Sequence, residues 1–226
     1  MDSNVLCRRI GYSFSKPELL YQALTHRSYS HSHNERLEFL GDSILNFVIA
    51  DELFKSKPDV QEGDLSRLRA SLVNGESLAS ISRELQLGDY LVLGPGELKS
   101  GGFRRTSILA DALESVLGAV YQDDGFETCR RLIIRLFENK LGNLPDLQAL
   151  KDAKTRLQEL LQARKIDLPE YTVSEVKGKA HAQKFIVECR IEQLGCVTLG
   201  EGRSRRKAEQ HAAEQAYQQL HQQLNA

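Results

Sequence analysis

The 226-residue sequence has no apolar run long enough to span a bilayer. Its most apolar stretch, Ile44-Leu45 and Phe47–Ala50 either side of Asn46, falls far short of the ~20 residues that a membrane helix needs. The N-terminal MDSNVLCRRIGYSF has no apolar core behind its basic residues, which argues against a secretory signal. The expectation is a cytoplasmic protein that does not associate with membranes. Cysteine is scarce, and Cys7, Cys129, Cys189 and Cys196 form no Cys-x-x-Cys pair; their scatter excludes a disulfide scaffold and the common zinc patterns. There is no Gly-x-Ser-x-Gly, so the nucleophile elbow of serine hydrolases is absent. No glutamate is followed by histidine at Glu-x-x-His spacing, which argues against a di-iron carboxylate bundle.

What is present fits a folded protein of one large or two smaller domains: 41% hydrophobic and 27% charged residues. The net charge of −1 hides an asymmetry, because residues 1–150 carry a net −4 and residues 151–226 a net +3. An acidic larger part joined to a basic smaller part suggests a catalytic or scaffold domain followed by a module for a polyanion.

Apolar residues recur at three- and four-residue spacing in PELLYQALTH, NERLEFLGDSILNFVIADELF, GDLSRLRASLVNGESLASISREL, ILADALESVLGAVY and FETCRRLIIRLFENKL, which predicts successive helices. Turn signals fall at Ser15–Pro17, Lys57–Asp59, Glu62–Asp64 and Asp123–Gly125, and Ser15 with Glu18 has the spacing of a capping box. The stretch Gly94–Arg105 reads as a long non-helical connection. After a linker over 142–151, the pattern changes to a short amphipathic helix, then three alternating runs, EYTVSEV, KFIVECRIE and CVTLGEG. An Ala/Gln-rich helix with Ser204 as N-cap closes the chain. The expected architecture is therefore multidomain: an all-α domain followed by a small α-β-β-β-α domain.

Two acid pairs stand out. Glu38 and Asp42 are four residues apart in a segment apolar on most sides, and Asp111 and Glu114 are three apart in another, so each pair shares a helix face. Carboxylates in such surroundings carry a large desolvation cost unless a cation or hydrogen bonds compensate. If the two faces meet, all-oxygen ligation suits a hard cation, Mg²⁺ or Mn²⁺. Gly41 gives room for another backbone to approach closely, and Gly118 supplies another small residue for close packing.

NERLEFLGDS at 34–43 resembles the signature of ribonuclease III, the double-strand-specific endoribonuclease. ALTHRS at 23–28, EGDLSRLRASLV at 62–73, LGPGELKSGG at 93–102 and SILADALESVLGAVY at 107–121 extend the resemblance, and the C-terminal segment is similar to a double-stranded-RNA-binding domain. The resemblance implies a catalytic domain over 3–125, its helical fold extending to about 141, and an RNA-binding domain over 152–222. It implies metal ligands Glu38, Asp111 and Glu114, active-site acids Asp42 and Glu114, and supporting acids Glu35, Glu62 and Glu97. Also implied are metal-dependent hydrolysis of double-stranded RNA to 5′-phosphate and 3′-hydroxyl ends with short 3′ overhangs, in the processing of ribosomal and structured messenger RNA, and a homodimer with Phe39 in its interface. A catalytically inactive RNA-binding regulator is the rival reading; it is disfavoured because all four central acids are retained.

A-form RNA offers shallow minor grooves and the phosphates between them. The residues expected to read them are Gln158 and Glu159 on the first helix of the small domain, His181 between its first two strands, and Ser204, Arg205, Arg206 and Lys207 at the start of its last helix, where the dipole favours phosphate. Lys99, Arg104 and Arg105 place positive charge in the glycine-rich stretch before the second acid pair, and RNA contact is expected there too. His26, His31 and His33 show no ligand spacing with the acids and read as packing or surface residues.

Overall fold

The computed structural model describes residues 3–178 and 183–224. It divides into two compact units, Met1–Pro145 and Asp146–Ala226.

Seven α-helices build the described part of the first unit: α1 (Ser3–Ile10), α2 (Pro17–Leu24), α3 (Glu35–Ser56), α4 (Glu62–Leu72), α5 (Gly75–Glu84), α6 (Pro95–Lys99) and α7 (Thr106–Gly142). Burial explains the long ones. Leu37, Ile44, Leu45, Val48, Ile49 and Leu53 of α3 and Ile108, Leu109, Leu113, Val116, Leu117 and Val120 of α7 are all inside, so the two helices share one core. Their crossing is set by backbone rather than side chains. A methyl group at Gly41 would be driven into the Glu114 carbonyl, and one at Gly118 into the Leu37 carbonyl. The close approach expected at Gly41 is thus a reciprocal one, with Gly118 as its counterpart.

Helix α7 is interrupted where Asp123-Asp124-Gly125 signals a turn: Asp124 and Gly125 leave helical geometry, Gly125 at φ +77°. The capping box at Ser15 and Glu18 does not form. Helix α2 begins after Lys16 with no side-chain cap, and the Ser15 and Lys16 amides donate instead to the Asp123 carboxylate, at 2.7 and 3.0 Å. Tyr12 Oη donates to the same carboxylate at 2.7 Å. A tertiary acceptor has taken the place of the local one, and Pro17, having no N–H, leaves one donor fewer to satisfy. Two smaller expectations also need correcting. Glu62–Asp64 is the first turn of α4, not a turn before it. The stretch Gly94–Arg105 contains α6 and a 3₁₀ turn over Gly102–Arg104.

In the second unit a single helical turn, α8 (Leu147–Leu150), precedes α9 (Ala153–Gln162), β1 (Glu170–Lys177), β2 (Lys184–Ile191), β3 (Cys196–Gly202) and α10 (Arg205–Leu224). The strands form one antiparallel sheet in the order β1-β2-β3. The predicted strand-strand-strand-helix order is observed. Ser204 Oγ accepts from the Lys207 amide at 3.3 Å, the N-cap read from the sequence. Helix α10 lies directly on β3 because its inner face is alanine: Ala208, Ala212, Ala213 and Ala216 are buried, and Thr198 Oγ1 donates to the Ala212 carbonyl at 2.8 Å. Among the described residues, no helix is long and apolar enough to cross a membrane.

The α3–α7 crossing yields a stability prediction. Overpacking a tight core typically costs about 1–3 kcal/mol, so Gly118→Ala should lower the melting temperature of the first unit by several degrees. Thermal unfolding followed by circular dichroism checks this; an unchanged midpoint would show that the crossing can relax at no cost.

Candidate active site and RNA interface

Helix α3 carries Glu35, Glu38 and Asp42, and α7 carries Asp111 and Glu114. At the glycine crossing, carboxylate oxygens of Glu38, Asp111 and Glu114 come within 4.8 Å of one another, all three residues half-buried. Their environment resists ionisation. Burial raises the Glu114 carboxyl to about 8, with the charges of Asp42, Asp111 and Glu38 adding to the rise. Glu38 is raised by burial and then by Asp111, and Asp111 by burial, against a lowering influence from His26 and Arg27. Among the described residues, no side chain donates a hydrogen bond to Glu38 or Glu114. A close, partly desolvated set of oxygen donors with no cationic partner of its own fits a hard divalent cation.

The other sequence-predicted acids sit differently. Asp42 is exposed and accepts from Asn46 Nδ2 at 2.7 Å; it lies outside the three-carboxylate group but is the largest charge influence on Glu114. Glu35 and Glu97 line the same cavity as Glu38 and Asp111. Glu62 does not: it is exposed at the start of α4, accepts from Ser66 Oγ at 2.8 Å, and borders a separate groove with Phe47 and Phe54.

That acid-lined cavity, of about 500 Å³, also takes in His26, Arg27, Ser28, Asn34, Arg105 and Ser107. His26 therefore lies close to the acids although no spacing relates it to them. Its Nδ1 accepts from the Ser28 amide at 3.2 Å and lies 2.8 Å from Ser28 Oγ. Neither His26 nor Arg27 has a local pattern that marks it; the only sequence signal was the ALTHRS landmark itself. The loop is fixed from a distance. His26 N donates to the Val92 carbonyl, Val92 N to the Leu24 carbonyl, and Gly94 N to Ser28 Oγ, at 2.9–3.0 Å. Of the three cations predicted in the glycine-rich stretch, Arg105 lines the cavity, while Lys99 and Arg104 are exposed and do not.

On α3, Phe39 is 76% exposed, and Phe47 and Phe54, at seven- and eight-residue steps along the same face, are 59% and 72% exposed. An apolar groove of about 390 Å³ beside Phe47 and Phe54 continues this stripe.

In the second unit Gln158 and Glu159 are exposed on α9, and Glu159 accepts from Lys151 Nζ at 2.6 Å. Arg205, Arg206 and Lys207 are all exposed in the first turn of α10. Arg205 Nε donates to Glu209 Oε1 at 2.8 Å, and Glu209 Oε2 accepts from Lys154 Nζ at 2.7 Å. His181 lies outside the described residues.

Comparison with known proteins identifies the family of each unit. The family described as Ribonuclease-III-like matches residues 16–141, and the double-stranded RNA binding motif matches residues 153–220. The chain is 59% identical to a protein named Ribonuclease 3 from Shewanella amazonensis over 217 residues, 96% of each chain. It is 60% identical to one of the same name from Nitrosococcus oceani over 213 residues, 93% of this chain and 91% of that one. The solved nuclease domain of ribonuclease III from Campylobacter jejuni superposes with a TM-score of 0.61 at 42% identity, covering 63% of this chain and all of that one. The chain belongs to the ribonuclease III family. It is a double-strand-specific endoribonuclease with a helical nuclease domain followed by a double-stranded-RNA-binding domain.

The carboxylate cluster predicts an unusual pH response without metal. A carboxyl raised on folding contributes stability that is complete below its unfolded value, near 4.5 for Glu114, and is lost as pH climbs through its folded value, about 8. In EDTA the melting temperature should therefore fall between pH 5 and pH 8. Mg²⁺ should restore it, and by more at pH 8 than at pH 6. Glu114→Gln should flatten the EDTA profile; a wild-type profile equally flat in EDTA would contradict the burial of these charges.

Proposed function

We propose that Glu38, Asp111 and Glu114 hold divalent metal for hydrolysis of the RNA phosphodiester bond, leaving 5′-phosphate and 3′-hydroxyl ends with short 3′ overhangs. The observation that carries the reading is the convergence of three half-buried carboxylates from two helices with no protein cation between them. Mg²⁺, with Mn²⁺ as a substitute, supplies an activated water and neutralises charge building on the phosphate when bound there. Asp42, exposed beside Glu114 and held by Asn46, orients the attacking water and handles its proton. The basic first turn of α10, with Gln158 and Glu159 on α9, grips duplex RNA by its phosphates and minor grooves; Lys99, Arg104, Arg105 and His181 extend those contacts. The substrates are ribosomal RNA precursors and structured messenger RNA, met in the cytoplasm. The functional divisions are a catalytic domain over 3–125, continued by helix to about 141, a linker over 142–151 and an RNA-binding domain over 152–222.

Cutting both strands near one position needs two sites of opposite polarity, which a two-fold axis supplies. The exposed Phe39, Phe47 and Phe54 on α3 support a homodimer through that face, and a Campylobacter jejuni relative has a region described as involved in dimer formation.

Two experiments test these assignments. Glu114→Gln keeps the shape of a ligand and removes its charge, so cleavage of a labelled ~30-base-pair duplex in Mg²⁺ should be nearly abolished while duplex binding in Ca²⁺ persists; wild-type turnover would remove Glu114 from the site. Full burial of a Phe side chain is worth about 1.5–3 kcal/mol, counted twice in a two-fold interface. Phe39→Asp should thus yield a monomer in sedimentation equilibrium at micromolar concentration and lose double-strand cutting. Retention of a dimer by this variant would place the interface elsewhere.

A further inference from the structure

Two of the acids in the cavity are already engaged. Arg27 Nη1 donates to Glu35 Oε1 at 3.1 Å. Arg105 Nη1 donates to Glu97 Oε1 at 3.2 Å and lies 2.9 Å from Oε2, too far off axis there for a hydrogen bond. Neither Glu35 nor Glu97 belongs to the group of carboxylates close enough to share a cation. Each arginine spends little of its capacity on its partner: a guanidinium carries five N–H donors in a rigid fork. Arg27 is 70% exposed and uses one of them on Glu35; Arg105 uses Nη1 on Glu97 and Nη2 on Ser100 Oγ, at 3.2 Å.

Both arginines open onto the cavity that Glu38 and Asp111 line. Both loops are also held in place. The Arg27 loop is stitched to Val92 by a backbone hydrogen bond from His26 and to Gly94, whose amide donates to Ser28 Oγ. Arg105 immediately precedes α7, and the Glu97 carboxylate is packed against Gly102, where any side chain would collide with it. The acid cluster alone presents concentrated negative charge to an approaching phosphodiester. Two cations lining the same cavity offset that charge, and a carboxylate holding each guanidinium leaves further N–H donors uncommitted while lowering the entropic cost of ordering the side chain on binding.

We propose that Arg27 and Arg105 are phosphate anchors at the mouth of the acid-lined cavity, and that Glu35 and Glu97 are positioning residues that hold them rather than metal ligands. The inference rests on the metal-dependent reading of that cavity and adds to it Arg27 as a second anchor beside Arg105, and the two acids that hold them. Glu35 and Glu97 act through the arginines; Glu38, Asp111 and Glu114 act on the reaction.

The experiment is a double-mutant cycle on Arg27 and Glu35, repeated on Arg105 and Glu97, with a ~30-base-pair RNA duplex. Dissociation constants are measured in Ca²⁺ across a range of KCl concentrations, and the Mg²⁺ concentration for half-maximal cleavage is measured separately. Arg27→Ala should weaken binding about tenfold and make the salt dependence shallower by roughly one phosphate contact. Glu35→Gln should weaken binding about threefold, with no further loss in the Arg27→Ala background, and should leave the Mg²⁺ midpoint unchanged. Arg27→Lys, which keeps the charge without the fork, should recover part of the affinity, which a misfolded variant would not show. The proposal is overturned if Glu35→Gln raises the Mg²⁺ midpoint severalfold at unchanged affinity, the behaviour of a metal ligand. It is equally overturned if Glu35→Gln tightens binding, the behaviour of simple charge removal. A wild-type protein that bound the duplex but failed to cut it in Mg²⁺ would instead sink the metal-dependent reading, leaving the binding arms of the cycle interpretable.

Discussion

The backbone contact between α3 and α7 is the constraint from which the nuclease unit follows. Gly41 lies against the Glu114 carbonyl and Gly118 against the Leu37 carbonyl, so no side chain separates the helices at their crossing. Helices usually pack 8–10 Å apart, the spacing set by the side chains between them; removing those side chains lets carboxylates one turn away reach across. Glu38 on one helix and Asp111 and Glu114 on the other meet there because the glycines let them. The apolar residues around them, from Leu37 to Leu53 and from Ile108 to Val120, both fix the crossing and exclude water from one side of the acids. One packing arrangement thus provides the geometry and the desolvation.

Much of this was legible before any coordinates. The acid pairs were marked by their spacing inside apolar helices, Gly41 by its position between two acids and Gly118 as a small residue one turn past the second pair, and the three strands by alternation that matched their observed bounds to within a residue or two. Ser204 was a local signal that stayed local. What could not be read locally was whatever depends on a partner distant in sequence. The Ser15–Glu18 spacing suggested a capping box, but Asp123, more than a hundred residues away, supplies the acceptor. His26 and Arg27 have no spacing relation to the acids and enter the cavity only because Val92 and Gly94 hold their loop. Glu62 shows the converse: a supporting acid only by resemblance, it borders a groove lined by Phe47 and Phe54 rather than the acid cluster.

Electrostatics divides the labour between the two units. The first concentrates negative charge at the α3–α7 crossing, and the second is net positive and exposes Arg205, Arg206 and Lys207 in one helical turn. Even there the positive charge is ordered by an acid: Glu209 bonds both Arg205 and Lys154, and Lys154 lies 4.1 Å from the centre of the Tyr171 ring. A guanidinium clamped by a carboxylate therefore recurs in both units, at Arg27, Arg105 and Arg205.

The Asp123 carboxylate has a reach beyond capping. It sits at the break in α7 and grips the start of α2 through two amides and the Tyr12 hydroxyl, while the far end of α2 is pinned through the Thr25–Val92 bridge. Helix α2 is therefore a strut fastened at both ends, bracing the loop that carries Arg27 against the helix that carries Asp111 and Glu114. The turn at Gly125 does more than redirect the chain: it offers up the bolt that keeps two sides of the acid-lined cavity from drifting apart.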